Sequence, residues 1–315
     1  MRKIKFPFSL FSLNRQQWLK ILFSFIFITG SFNLFLKFMH QNAYVQGWLV
    51  DYLLPKIYLS DFFIFPFIIL GLKPYLKKIL IHLQKYFFSS QENQSQKQKR
   101  WLFFSFFCLI IIFLLTFFRQ FFTPVPQAAF YQLFKLIEFS LLTIAIFFNR
   151  SLFSSRLIFW LATILIVFQS TLGIYQFIAQ KPLFSYRIFG ETDLTRPQGL
   201  PRTAFFGTPK VLPYGTFPHP NILAGVLTLS AFLALFAWRR FCATLNSTQK
   251  PFFLSIIFGI FFLTTLTLIL TNSFSATLTG LTGLIVYFAL PFFRKVRPFS
   301  REKITLSTLD RKSVV

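Results

Sequence analysis

Apolar stretches of about bilayer-crossing length recur along this chain at 19–38, 57–72, 101–118, 128–148, 157–178, 222–238, 252–270 and 275–293. A hydrocarbon core of about 30 Å takes roughly 20 helical residues. In that solvent the backbone must satisfy its own N–H and C=O groups, which a helix does. The expected fold is all-α: a polytopic integral membrane protein of about eight transmembrane helices, forming a single membrane domain over 1–315. The second stretch is short, holds Asp61 and is interrupted by Pro66. A kinked span and a partly re-entrant segment both fit it.

Only 13% of the residues are charged, against roughly a quarter in a soluble domain. The net charge of +25 would suggest nucleic acid if it formed a patch on a polar domain. Here the cations fall in short runs between apolar stretches, so a nucleic-acid partner is not expected and membrane lipids are. Phe occurs 51 times, and single Phe residues carry little information. Cys108 and Cys242 have no Cys or His at ligand spacing, so neither a disulfide nor a metal site is expected. Met1-Arg2-Lys3-Ile4-Lys5 begins like a signal peptide, but no small-residue cleavage site follows the first apolar run, which points to an uncleaved first helix.

Lys and Arg favour cytoplasmic segments. With the N-terminus inside, the outer segments hold only Lys37, Lys56, Arg119, Lys181, Arg187, Arg196, Arg202 and Lys210, and nearly all the other basic residues lie inside. That bias supports both termini inside and the count of spans. Residues 86–100, which include Ser89-Ser90-Gln91-Glu92-Asn93-Gln94, lack apolar periodicity and are expected to be a flexible cytoplasmic linker. Residues 294–315 form a basic cytoplasmic tail.

Any active surface is expected in the longest outer loop, 179–221. It carries the cations Arg196, Arg202 and Lys210, then Tyr214, Gly215 and Thr216, and closes on His219, Pro220 and Asn221. Asn221 is the expected N-cap of the sixth span, whose positive dipole end suits a phosphate or pyrophosphate. The competing view is that the turns merely shape a loop and His219 is an inert surface residue. Within the membrane, Lys135 and Glu138 can pair at i and i+3; a structural pair is favoured over a proton relay or substrate role because a partner is at hand. Asp61 lies near the outer boundary of its span, where it can reach the interface.

Tyr214-Gly215-Thr216-Phe217-Pro218-His219-Pro220-Asn221-Ile222-Leu223-Ala224-Gly225 resembles the signature of the O-antigen ligase and polymerase superfamily. The stretch from Val50 to Asp61, Lys135-Leu136-Ile137-Glu138-Phe139 and Phe189-Gly190-Glu191-Thr192 resemble the same family. The resemblance implies transfer of a glycan from an undecaprenyl-pyrophosphate carrier to an acceptor hydroxyl, at the outer face of a bacterial cytoplasmic membrane, without a metal or nucleotide cofactor. It leaves ligase and polymerase open, and with them the identity of the acceptor. Family members usually carry an arginine where this chain has Leu212, with Lys210 the nearest cation, and another where it has Phe274. The resemblance covers about the first two thirds of a typical member, so the large loop with the catalytic base is expected beyond Val315. No catalytic residue is assigned, and His219 belongs to the fingerprint. A relative that binds the carrier without transfer is the alternative. A transporter is less supported, because no internal repeat is evident.

Overall fold

The computed structural model describes residues 13–45, 48–49, 53–88, 111, 114–115, 117–118, 120–122, 125–184, 186–195, 199–205 and 207–296. Its long helices are α1 (Arg15–Thr29), α2 (Asp61–Phe88), α3 (Pro126–Phe148), α4 (Ser155–Ala179), α5 (Pro220–Cys242), α6 (Lys250–Thr271) and α7 (Phe274–Val296). By length and composition α3, α4, α5 and α6 can each cross a membrane, and α7 adds an apolar stretch over Phe274–Ala289. A polytopic membrane protein fits this architecture. Large side chains on the helix surfaces fit it too, with Leu229 at 72% exposure and Phe262 at 68%, an arrangement that water penalises and lipid does not.

The spans expected at 157–178, 222–238 and 252–270 lie within α4, α5 and α6. The first expected span is shorter than its apolar run. A capping box at Asn14 and Gln17 starts α1, and the helix stops at Gly30. Residues Phe35–Lys37 then form strand β1, so the chain is not purely helical. Strand β1 pairs antiparallel with β4 (Lys56–Tyr58), and between them β2 (Tyr44–Val45) pairs with β3 (Trp48–Leu49). Strand β5 (Arg202–Phe205) pairs with β6 (Thr208–Val211). Over the second apolar stretch the chain is one continuous helix from Asp61: α2 runs for 28 residues through Pro66 and Pro74. It takes in the first residues of the expected 86–100 linker. Most of that linker, of the 101–118 span and of the 294–315 tail lies outside the described residues.

A proline inside a helix withholds the N–H that the carbonyl four residues earlier would accept. For Pro74 that carbonyl is Leu70, and Arg15 Nε donates to it at 2.8 Å. Arg15 also reaches the Gly71 carbonyl and Asn149 Oδ1, while Asn149 Nδ2 donates to Gly71 at 3.1 Å. One guanidinium thus ties α1, the proline-interrupted turn of α2 and the end of α3 together. Around this tie Leu19, Leu22, Ile64, Phe67, Leu142 and Ala145 form one apolar core.

The second core joins α4, α5 and α6 through Phe159, Ala162, Ile166, Leu223, Leu227, Ala231, Ala234 and Ile260. The small residues on α4 and α5 let these helices pack closely, as membrane helices must without a hydrophobic drive between them.

Candidate functional site

Gln169, Gly173 and Gln176 recur at i, i+4 and i+7 and share one face of α4, and Gln180 follows as the helix's C-cap with φ 52°. Amides on an otherwise apolar helix need partners, and here they find them in the loop that follows. Gln169 Oε1 accepts the Thr216 N–H at 3.1 Å, and its Nε2 donates to Thr216 Oγ1 at 2.7 Å. Gln176 Oε1 accepts the N–H groups of Tyr214 and Gly215 at 3.0 and 2.7 Å, while Nε2 donates to the Gly215 carbonyl and to Glu191. Gln180 exchanges hydrogen bonds with the backbone of Val211. At Gly173 a Cβ would touch Leu223, Pro213 and Thr267, which is how closely the loop and α5 approach α4.

Glu191 is buried and accepts three donors: the Leu183 and Phe184 N–H groups and the Gln176 amide. Its neighbour Gly190 has φ +76° and lies so near the Asn33 backbone that a Cβ would overlap it. Thr216 Oγ1 donates to the Ser31 carbonyl. The segment after α1, the start of the loop and the Tyr214-Gly215-Thr216 motif are therefore locked to one helix face. Burial raises the pKa of the Tyr214 phenol. Tyr214, Gly215 and Thr216 are buried, so these expected site residues hold the loop in shape and are not open to a ligand.

His219 and Asn221 are exposed at the start of α5. The cap is His219 and not Asn221: its Nδ1 accepts the Asn221 N–H at 3.2 Å. The reason is Pro220, whose fixed φ suits the first helical position and moves the cap to the residue before it. A neutral imidazole that accepts at Nδ1 carries its proton on Nε2. Its Nδ1 lone pair is thereby engaged at the start of the helix.

The β5–β6 hairpin stands beside this seat. Lys210 Nζ lies 5.2 Å from the Phe177 ring centroid and 6.0 Å from that of Phe205. Arg202 is exposed on β5. Lys210 is opposite Thr203 and Arg202 is opposite Val211, so the two cations point to opposite faces of the hairpin and do not converge. Arg196 lies outside the described residues. Leu212 is buried, and Phe274 is 80% exposed at the start of α7.

Lys135 and Glu138 pair at 2.8 Å as expected. Asp61 is buried at the start of α2, bonds to Lys135 and accepts the Tyr58 N–H at 2.9 Å. Tyr58 and Tyr131 present their rings to the ammonium. One cation thus bridges two carboxylates on α2 and α3. Glu138 Oε1 has no hydrogen-bond partner among the described residues.

The glutamine face of α4 has a sequence signature, three amides at helical spacing in an apolar run. Its partners have none, since Glu191 and Thr216 are 15 and 47 residues from the amides that hold them. No protein-family profile, curated protein or solved structure matches this chain.

Proposed function

We propose that this chain is a multi-pass membrane protein of the O-antigen ligase kind. On this reading the 179–221 loop faces outward from a bacterial cytoplasmic membrane and engages an undecaprenyl-pyrophosphate-linked glycan, which passes to an acceptor hydroxyl. The observation that carries it is the anchoring of Tyr214, Gly215 and Thr216 by Gln169 and Gln176 immediately before α5. An idle surface loop needs no such seat. Anchoring fixes a helix N-terminus and a cationic hairpin in one place, and both favour an anionic ligand. In the transfer, the acceptor oxygen bonds to the anomeric carbon, and the carbon–oxygen bond to pyrophosphate breaks with its electron pair on the leaving group. A base takes the acceptor proton.

Membranes containing the full chain, supplied with radiolabelled carrier-linked glycan, test the reading. Transfer above vector membranes is expected, and no transfer together with no carrier binding would refute it. The identity of the labelled product separates ligase from polymerase. Binding without transfer would establish the second reading, a carrier-binding relative. That reading is favoured by Leu212 and Phe274, which stand where the resemblance implies arginines.

A further inference from the structure

At the end of the helices away from the anchored loop, α5, α6 and α7 leave an open cleft of about 460 Å³. Helix α5 packs against both α6 and α7, while these two, joined only by Asn272 and Ser273, touch each other sparsely. The walls are Leu235, Trp238, Leu254, Ile257, Tyr287 and Phe288, with Arg239 and Lys250 also in the lining. The volume lies in the ordinary range of ligand sites. We propose that this cleft binds an anionic phospholipid, with its phosphodiester between Arg239 and Lys250 and the head of an acyl chain against the aromatic and aliphatic wall.

Three observations support this occupant. The first is charge: Asp61, Glu138, Glu191 and Asp193 are the carboxylates among the described residues, and none lines the cleft. Among the described residues no carboxylate is placed to balance the two cations of the lining. The second is the position of Lys250, which opens α6 where the helix dipole is positive and where Gln249 supplies no side-chain cap. A cation is unfavourable there, and a phosphate relieves both the charge and the helix end. The third is the lining. The Arg239 guanidinium lies 5.9 Å from the Tyr287 ring centroid, so polar and apolar contacts meet at one place. That is the chemistry of an amphiphile and not of a soluble anion.

Purified full chain carrying Cys108→Ser is the test material, because Cys242 lines the cleft and then reports occupancy through its reaction with N-ethylmaleimide. Dioleoyl phosphatidylglycerol in mixed micelles is expected to slow that alkylation. It should also bind in native mass spectrometry roughly thirtyfold more tightly than dioleoyl phosphatidylcholine. Arg239→Gln with Lys250→Gln should abolish the preference, and Arg240→Gln, an exposed neighbour outside the lining, should keep it. Equal protection by the two lipids, or a preference that survives the double substitution, would overturn the proposal. Equal protection by glycerol phosphate at the same concentration would overturn it too, by making the ligand a free anion. The alkylation comparison needs only the Cys108→Ser chain, so poor folding of the double variant leaves the proposal exposed to refutation.

Discussion

Gln176 donates its side-chain amide to the buried Glu191 carboxylate at 2.9 Å, and its oxygen holds the N–H groups of Tyr214 and Gly215. Gln176→Leu keeps the bulk and removes every one of these bonds. Each buried group left without a partner costs about 1–3 kcal/mol, so a loss of about 3 kcal/mol is expected. A lower midpoint of thermal unfolding in detergent and faster proteolysis within 180–219 would both report it.

Gly190 and Gly215 have positive φ and no room for a side chain, the first against Asn33 and the second against Gln169. Gly207 also has positive φ but faces open space. Gly207→Ala is expected to cost about 1 kcal/mol, the backbone penalty alone. Gly190→Ala and Gly215→Ala must also displace their neighbours and should sharply reduce the yield of folded protein, as read by size-exclusion chromatography.

The Arg15 bond to the Leu70 carbonyl predicts a coupling between Arg15 and Pro74, which do not pair with each other. Arg15→Met is expected to destabilise by about 2 kcal/mol or more. In a Pro74→Ala background the restored N–H can serve Leu70, and the loss should shrink by about 1 kcal/mol. A double-mutant cycle on unfolding midpoints measures the difference.

Lys135 bridges Asp61 and Glu138. Lys135→Met leaves two carboxylates buried without their cation, and a loss of about 3–5 kcal/mol is expected. Adding Asp61→Asn and Glu138→Gln should recover most of it, because the charges go together. Thermal unfolding of the single and triple variants checks this, and a triple variant as weak as the single would refute the ion-pair account.

Helices α4, α5 and α6 were legible because long apolar runs bounded by polar turns have one solution in a membrane. The end of α1 was not. Phe35, Leu36 and Phe38 are as apolar as any helical residue, so hydropathy does not distinguish a strand after Gly30 from one more helical turn. Asn221 is the stronger cap by residue type, but Pro220 takes the first helical position and leaves the cap to His219. The burial of Asp61 against Lys135, 74 residues away, is invisible to local spacing. The identities of Gln169, Gln176 and Gln180 were plain in the sequence. Their purpose depended on which way the loop folds back, which only tertiary structure supplies.

The anchored loop is expected to engage a polyprenyl pyrophosphate. Undecaprenyl pyrophosphate titrated onto the full chain in nanodiscs of neutral lipid is the direct test. Saturable binding is expected, weakened roughly tenfold or more by Arg202→Gln with Lys210→Gln and left intact by Arg240→Gln at the other end of the bundle. Binding that is absent, or equally tight in the Arg202→Gln, Lys210→Gln variant, would contradict it.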